Sequence, residues 1–297
     1  MDINIAIIIV LYYPEKLNFL KLLHLSEKPE NQNIIIVDNT PDPLADLTIY
    51  KDIHYIPLYS NQGIAKAQNI GINKAIELNC THIIFFDQDS IITKKYIENI
   101  ISEYINIERK IGNLFLLGPT VINEKTGNEY KSLFHSDIVN DNGFIKRREI
   151  ISSGSCTSIK KIKFIGLLDE ILFIDFVDFE WCWRGNQLNY ISGITKNIQL
   201  LHNVGQNELN LGKYKIIISS PIRYFYQYRN FLWLFRRTYV PTTWKRNTGI
   251  KLSLRIIYLP LSVKNGWKIG SNIWKGILSG LKRYPRNMHN NNQPSVL

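Results

Sequence analysis

Apolar runs that alternate with segments of helical spacing dominate the first 120 positions. The runs are rich in β-branched residues and nearly free of polar ones, which is typical of strands buried on both faces of a sheet. Strands that alternate with helices predict parallel βαβ units, so we expect an α/β fold with a Rossmann-like, mainly parallel central sheet flanked by helices. The predicted strands are 3–11, 34–37, 53–58, 82–86 and 114–117, and the predicted helices are 15–25, 64–78 and 93–107.

The pattern changes after position 120. Turn signals at 124–128 and 140–143 separate short mixed segments and predict hairpins, hence a more antiparallel region added to the sheet. A small polar loop follows at 152–155, then a helix predicted over 179–188 and a short strand over 198–201. His202 comes directly after that strand, where a lone histidine is more often structural than a ligand.

Two carboxylates, Asp87 and Asp89, follow the buried run at 82–86. Open α/β sheets bind their ligands beyond the carboxyl ends of the strands. Carboxylates two residues apart can share one hard divalent cation together with the phosphates that it neutralises. The alternative is a solvated turn or a helix cap.

The first strand leads into Tyr12, Tyr13 and Pro14, where a dinucleotide-binding domain requires a glycine-rich loop. A Gly-Lys-Ser/Thr phosphate loop is also missing from the sequence. Phosphates must therefore be held in another way, and a cation at Asp87 and Asp89 is the candidate.

Residues 166–184 place five carboxylates among large apolar side chains. Carboxylates in such surroundings either cap helices and pair with cations or have a pKa shifted for chemistry. Asp178 is well placed to open the helix that follows, where a capping role is the structural alternative. A cap and a catalytic base do not exclude each other. The five are Asp169, Glu170, Asp175, Asp178 and Glu180.

Composition indicates a globular chain of 297 residues with 45% hydrophobic and 21% charged residues, enough for one large or two ordinary domains. The three cysteines, Cys80, Cys156 and Cys182, are far apart, which argues against a disulfide framework and for a reducing compartment. Residues 1–11 lack a basic start and a cleavage site, so we interpret them as a strand and not as a signal peptide. No apolar run reaches the ~18 residues of a spanning helix.

Positive charge is concentrated in the last third of the chain. Residues 209–297 contain sixteen Lys and Arg and no Asp or Glu, which leaves a net charge of −5 on the first 208 residues. Such asymmetry predicts a polyanionic partner, either nucleic acid or an anionic membrane surface.

Aromatic residues are interleaved with this charge and favour the membrane. Lys268, Lys275 and Lys282 recur every seventh position beside Trp267, Trp274 and Leu281, and residues 223–237 are also rich in aromatics and arginine. Basic helices with an apolar, aromatic face are typical of anionic bilayer surfaces. Nucleic acid needs the same charges, and a helical appendage packed on the body or on a partner is the plain alternative.

Taken together, the motifs resemble glycosyltransferase family 2, the inverting enzymes of the GT-A fold, and within it the bacterial rhamnosyltransferase-like branch. The resemblance covers about the first 240 residues and depends on the order and spacing of its motifs. The motifs are Val10 to Pro14, Val37-Asp38-Asn39, residues 61–71, Phe86 to Ser90, residues 173–181 with Arg184, His202, and residues 220–226 with Arg229 and Asn230.

The resemblance implies a nucleotide-sugar site and a metal. Tyr12 and Asp38 would contact the base, the segment from Asn61 to Asn69 would wrap the nucleotide, and Gly63 would permit close backbone approach. Mg²⁺ or Mn²⁺ would be bound by Asp89 and His202. The resemblance places Asp87 on the ribose or sugar side and makes it a further candidate ligand of the metal. His202 lies 24 residues after Asp178, a separation similar to that in galactofuranosyltransferase relatives of the family. The implied nucleotide-sugar-binding residues are Tyr12, Asp38, Asn39, Asn61, Gly63, Asn69 and Asp87.

The resemblance also implies Asp178 as the general base, with Glu180 as its rival. Residues two apart on a helix point to different faces, so only one of them would reach the acceptor. Glu180, Trp181 and Arg184 would face the acceptor, the tryptophan as a platform for a sugar and the arginine as a cation for a phosphate. The alternative for Trp181 and Arg184 is core packing and an ion pair.

The expected protein is a cytoplasmic transferase, peripheral on the inner face of the cell membrane, that uses dTDP-L-rhamnose and a polyprenyl-diphosphate-linked or oligosaccharide acceptor, with no nucleic-acid partner. We expect a nucleotide-sugar-binding half over 1–119, an acceptor-binding half of the same GT-A domain over 120–208, and a basic helical membrane-associating segment over 209–297. One alternative is another donor, such as galactofuranose, glucose or N-acetylhexosamine. The other is a non-catalytic assembly module.

Overall fold

The computed structural model describes residues 3–14, 32–43, 53–123, 127–129, 143–202, 208–211, 214–263 and 266–284, and the side chains of these residues outside 202–217. The helix predicted over 15–25 and the chain beyond 284 lie outside the described residues.

Eight strands form one mixed sheet in the order β3-β2-β1-β4-β7-β5-β8-β6. β1, β2, β3 and β4 run parallel to one another, as the alternating pattern predicts. A separate antiparallel pair, β9 and β10, follows the main sheet in the chain. The strands are β1 Ile5–Leu11, β2 Gln32–Asp38, β3 Ile53–Pro57, β4 His82–Asp87, β5 Leu114–Asn123, β6 Phe144–Arg147, β7 Cys156–Ser158, β8 Ile191–His202, β9 Glu208–Leu211 and β10 Tyr214–Ile217.

The second half of the sheet is more antiparallel, as the turn signals indicate. β7 lies antiparallel between β4 and β5, and β6 pairs antiparallel with β8 at the edge. β5 does not stop at Gly118 and Pro119 but continues to Asn123, with a register shift between Pro119 and Thr120. Proline lacks an N–H group and is tolerated in a sheet at such irregularities.

The helices cover both faces of the sheet. α1, α3 and α4 pack on one face and α2 packs on the other. Alternate residues of β1 point to the two cores, which is why the strand is apolar throughout. At Gly71 a Cβ would lie 2.6 Å from Ile8 Cγ2, so this glycine lets α1 approach β1 closely. The described helices are α1 Ile64–Glu77, α2 Lys94–Ile111, α3 Ile159–Ile165, α4 Val177–Gln187, α5 Pro221–Phe235, α6 Thr242–Ser262 and α7 Gly266–Leu281.

The basic segment begins with the β9–β10 pair and becomes helical only at α5. Its helices have a small core of their own, which contains Tyr228 and Leu252. α5 and α6 also contribute Trp233, Leu234 and Trp244 to the core that α4 shares with the sheet. The segment is therefore packed into the body of the protein. Within the described part of the chain, no helix combines the length and apolar character needed to cross a membrane.

Candidate active site

The carboxyl ends of β1, β2 and β4 lie side by side. Leu11 is paired with Asp38, and Val10 is paired with Asp87. The fold therefore places Asp38 and Asp87 on either side of the end of β1, at the edge where open α/β sheets bind ligands.

Gln88 joins the end of β1 to the acidic turn. Its Oε1 accepts a hydrogen bond from the Tyr12 N–H at 2.7 Å, and its Nε2 donates to the Tyr12 carbonyl oxygen at 3.2 Å. The ring of Tyr12 is 45% exposed and meets Tyr13 edge to face, so it is accessible to a planar ligand. Sequence reasoning passed over Gln88 because a lone amide between two acids carries no signal for this pairing.

Asp38 and Asn39 are both buried at the end of β2. The Asp38 carboxylate accepts from the Tyr55 hydroxyl at 2.8 Å and from the Thr40 N–H at 3.0 Å. Asn39 accepts from the Gln62 N–H at 2.7 Å and donates to Asn61 Oδ1 at 3.0 Å. These bonds fix the loop before α1 against β2.

The group that lies close to Gly63 is another residue of the protein, Phe173. The glycine has φ 86°, and a Cβ there would lie 2.6 Å from the Phe173 ring and 2.7 Å from the Phe173 carbonyl oxygen. Gly63 thus makes room for Phe173, and its close approach to the nucleotide stays a prediction. The Gly63 N–H donates to Asn61 Oδ1 at 3.1 Å, so Asn61 shapes the same loop.

Asn69 lies in the interior and not against a ligand surface. Its Oδ1 accepts from the Leu168 N–H at 3.0 Å, and its Nδ2 donates to the Leu168 carbonyl at 2.9 Å and to Glu170 at 3.0 Å. The prediction of a nucleotide contact is therefore wrong for this side chain. It instead ties α1 to the segment that leads towards Asp178.

Asp87 and Asp89 belong to a tight turn closed by a hydrogen bond from the Ser90 N–H to the Asp87 carbonyl at 3.0 Å. Asp89 is exposed and Asp87 is half-buried. The Asp87 N–H donates to Ser153 Oγ at 3.2 Å, so the loop at 152–155 supports the turn. The carboxylate oxygens are the hard ligands that Mg²⁺ and Mn²⁺ prefer, and the donor set fits such a cation.

The third predicted metal ligand is outside the described side chains. His202 is the last residue of β8 and is paired with Asn123, but the description covers only its backbone. Among the described side chains, no three His, Cys, Asp or Glu residues form a metal-type cluster.

Asp178 lies in the first turn of α4, at its second position. The helix begins one residue earlier and is capped by the backbone of Phe176, so the predicted capping role of Asp178 is wrong. Its carboxylate accepts from the Phe179 N–H at 3.0 Å and from the backbone of Ser152. Burial raises the pKa of Asp178 to about 7, against the lowering effect of these N–H groups, and the negative charge of Asp87 adds to the rise. The structure thus brings Asp178 near Asp87.

Glu180 points away from Asp178 into the protein. Its Oε1 accepts from Tyr239 Oη at 2.6 Å and from Arg237 Nη1 at 3.1 Å, and its two oxygens accept from Arg184 at 3.0 Å each. Burial alone would raise the pKa of Glu180, but the two arginines outweigh it and hold the pKa below its usual range. Glu180 is therefore a buried, ionised structural group. The prediction that it contacts the sugar acceptor does not agree with these bonds.

Trp181 and Arg184 are also engaged inside the protein. Trp181 is fully buried, packs edge to face on Phe115, and donates from Nε1 to the Gly166 carbonyl at 2.8 Å. Besides Glu180, Arg184 donates to the carbonyl oxygens of Ile165 and Leu167. The alternative of core packing and an ion pair therefore describes both residues, and neither faces an acceptor.

Comparison with known proteins agrees with this arrangement. Residues 7–161 match the model of the family "Glycosyl transferase family 2". The chain is 36% identical over 254 residues to the dTDP-rhamnosyl transferase RfbF of Shigella flexneri, covering 81% of this chain and 83% of the relative.

Solved structures of low sequence identity share the fold. The mannosyltransferase PcManGT from Pyrobaculum calidifontis, in complex with GDP-Man and Mn²⁺, matches with a TM-score of 0.57 at 12% identity, over 92% of this chain and 73% of that one. S. aureus TarS 1-349 in complex with UDP-GlcNAc matches with a TM-score of 0.55 at 14% identity, over 93% of this chain and 81% of that one. The chain therefore belongs to glycosyl transferase family 2, in its bacterial rhamnosyltransferase-like branch, and is a glycosyltransferase of the GT-A fold.

Proposed function

We propose that this glycosyltransferase is an inverting rhamnosyltransferase that moves L-rhamnose from dTDP-L-rhamnose to a hydroxyl of a saccharide acceptor. The similarity to a dTDP-rhamnosyl transferase over 81% of the chain supports the donor. The observation that carries the chemistry is the Asp178 carboxyl beside Asp87 at the carboxyl edge of the sheet, with its pKa raised to about 7.

Asp178 is the proposed general base. The acceptor oxygen attacks the anomeric carbon, the bond from that carbon to the diphosphate oxygen breaks, and the hydroxyl proton passes to the Asp178 carboxylate. A base with a pKa near the working pH is both partly ionised and strong enough to take this proton. Glu180 cannot serve instead because it is itself buried and both of its oxygens accept hydrogen bonds from arginine side chains.

Tyr12 and Asp38 are the proposed contacts of the base at the ends of β1 and β2. The exposed Tyr12 ring offers a face for stacking, and Asp38, held by Tyr55, offers acceptor oxygens at a fixed position. Asn39, Asn61 and Gly63 act indirectly, because their bonds shape the loop that would border the nucleotide.

Asp89, Asp87 and His202 are the proposed ligands of Mg²⁺ or Mn²⁺. A cation held there would neutralise charge on the leaving diphosphate.

An anionic membrane surface is the proposed partner of α6 and α7. Ile250, Leu254, Ile257 and Leu261 are exposed and recur at helical spacing on α6, as do Trp267, Trp274, Leu278 and Leu281 on α7. Leu261 is 83% exposed and Trp267 is 69% exposed. Lys251, Lys268 and Lys275 adjoin these stripes. Apolar stripes bordered by cations suit an anionic bilayer.

This location favours a lipid-linked acceptor, such as a polyprenyl-diphosphate-linked sugar, over a free oligosaccharide. It also defines the proposed organisation, in which 1–208 hold the two halves of the catalytic domain and 209–297 contact the cytoplasmic face of the membrane. The alternative of a non-catalytic assembly module is set aside, because the chain belongs to a family of glycosyltransferases and is 36% identical to a dTDP-rhamnosyl transferase.

The first prediction concerns the donor. With the full chain, a lipid-linked saccharide acceptor and Mn²⁺, release of nucleoside diphosphate should be fastest with dTDP-L-rhamnose in a panel that also contains nucleotide-activated galactofuranose, glucose and N-acetylhexosamine. A different preferred donor would overturn the rhamnosyl assignment. Absence of both turnover and dTDP binding by calorimetry would favour the non-catalytic module.

The second prediction concerns Asp178. Asp178→Asn should lower the rate of transfer by about 10²–10⁴, the usual contribution of a general base, while dTDP binding stays unchanged. Because the base must be ionised and its pKa is about 7, wild-type kcat should rise about tenfold from about pH 6 to about pH 8. Loss of nucleotide binding in the variant would reduce Asp178 to a structural role.

The third prediction concerns the metal. EDTA should abolish transfer and Mn²⁺ should restore it, and Asp89→Ala should weaken Mn²⁺ binding measured by calorimetry, because it removes an exposed oxygen ligand. Glu98→Ala is a matched control, since Glu98 is an exposed carboxylate on α2 that faces solvent away from the turn. Full activity in EDTA together with full activity of Asp89→Ala would exclude a metal-dependent mechanism.

The fourth prediction concerns the membrane. The full chain should co-sediment with vesicles that contain phosphatidylglycerol and much less with pure phosphatidylcholine. The double variant Trp267→Glu and Trp274→Glu should weaken binding at least about tenfold, because each buried aromatic contributes roughly 1.5–3 kcal/mol. Phe164→Glu, at a 65% exposed position on α3, should leave binding unchanged. Equal binding by the double variant and the wild type would contradict the proposal, and preferential binding to DNA would favour the nucleic-acid alternative.

A further inference from the structure

The turn before α4 has an unusual backbone. Phe173, Asp175 and Phe176 have φ values of 66°, 64° and 66°, in the left-handed region that bulky side chains rarely adopt. The Ile174 N–H donates to the Leu172 carbonyl at 2.7 Å, which closes a γ-turn of the rare form with positive φ at its centre. Such backbone conformations are unfavourable and persist only where the surroundings impose them.

This turn determines where α4 begins. Phe176 caps the helix with its own left-handed backbone, and Asp178 follows two residues later. A change in the conformation of 173–176 would therefore move the Asp178 carboxylate relative to Asp87 and the acidic turn.

Asn230 of α5 holds the carbonyl groups of this turn. Its side chain is completely buried, and its Nδ2 donates to the carbonyl oxygens of Leu172 at 2.8 Å, Ile174 at 2.8 Å and Asp175 at 3.2 Å. Its Oδ1 accepts from Arg229 Nη2 at 2.9 Å. One amide thus bonds the backbone on both sides of Phe173.

Arg229 also bonds the backbone of this turn, beginning one residue earlier, at Ile171. Its Nη2 donates to the carbonyl oxygens of Ile171 at 2.8 Å and Leu172 at 3.0 Å. The guanidinium lies over the Trp233 ring, 4.4 Å from the ring centroid, which keeps its plane in place.

Side chains one and two helical turns earlier on α5 hold the remaining residues of the turn. The Tyr226 ring stacks on the Phe173 ring with centroids 4.6 Å apart, and Arg223 pairs with Asp175 at 2.6 Å. Positions 223, 226 and 230 lie on one face of a helix. From the opposite side the loop at Gly63 packs against Phe173, so the turn is enclosed between α5 and the proposed nucleotide loop.

We propose that Asn230, supported by Arg229, is a positioning residue for catalysis: it imposes the left-handed turn at 173–176 and so places Asp178 for proton transfer. The inference rests on the proposed role of Asp178 as the base. It makes the basic segment a part of the active site, in addition to any contact with the membrane.

Asn230→Asp tests this. The variant has almost the same shape and keeps an oxygen for Arg229, but it replaces the donor that faces three carbonyl oxygens by an acceptor. kcat should fall on the order of 10–100-fold, as for a misplaced catalytic group, while the KM for the donor changes by less than about twofold.

Tyr228→Phe is the matched control. It also removes a buried hydrogen bond made by α5, from Tyr228 Oη to the Leu252 carbonyl at 2.6 Å, but this bond joins α5 to α6 and not to the turn. Thermal unfolding of both variants should shift by a similar amount, and Tyr228→Phe should keep the kcat of the wild type.

A folded Asn230→Asp variant with unchanged kcat would overturn the inference, as would equal losses of kcat in both variants. If Asn230→Asp does not fold, Arg229→Lys is measured in the same assay, because it keeps the positive charge but lacks the planar set of donors. A lowered kcat with an unchanged KM for the donor supports the inference. An unchanged kcat overturns it. Asp178→Asn is assayed in parallel: its full activity would refute the proposed base. If Asp178→Asn is inactive and Asn230→Asp has normal activity, only the positioning role is refuted.

Discussion

The arrangement of the molecule depends on the hydrogen bonds and ion pairs made by the buried carboxylate of Glu180. Glu180 lies on α4 and is bonded to Arg184 of the same helix and to Arg237 and Tyr239 of the basic segment. Arg237 in turn pairs with Asp169 at 2.7 Å. Removing one partner of such a buried group would leave an uncompensated charge, typically a loss of about 3–5 kcal/mol. The position of α4 and the docking of the C-terminal helices are therefore fixed by the same charge.

Side-chain amides hold backbone segments together at and near the carboxyl edge of the sheet. An amide offers both a donor and an acceptor, so it can satisfy a neighbouring backbone in the manner of a strand. Gln88 does this for Tyr12 and Asn69 does it for Leu168, whereas Asn39 accepts from the Gln62 N–H and donates to the Asn61 side chain. These bonds join segments far apart in sequence.

The sequence predicts β1, β2 and β4 well because each contains an apolar run buried on two faces, and parallel order then brings Asp38 and Asp87 together at one edge. It predicts the surroundings of Asp178 poorly. Glu180 and Arg184 belong to the same motif as Asp178, but a helix turns them into the interior, and their partner Arg237 lies more than fifty residues away. The left-handed backbone at Phe173, Asp175 and Phe176 has no sequence signal, since none of them is glycine. β7 is too short, at three residues, to show a strand pattern.

The structure also changes the interpretation of the positive charge in the C-terminal segment. Counted in sequence, its sixteen basic residues suggest a uniform attraction for a polyanion. Three of the arginines on or just after α5, however, bond to groups of the protein itself: Arg223 and Arg237 pair with carboxylates, and Arg229 binds backbone carbonyls. The exposed lysines are found on α6 and α7, next to the exposed apolar stripes. A surface charge is screened within about 8 Å at physiological salt, so under the membrane proposal attraction to a bilayer would arise at these two helices, while Arg223 and Arg229 of α5 bond to the turn before Asp178. In that case one basic segment would serve two purposes, because guanidinium groups suit directed bonds to fixed oxygens and ammonium groups suit a diffuse anionic surface.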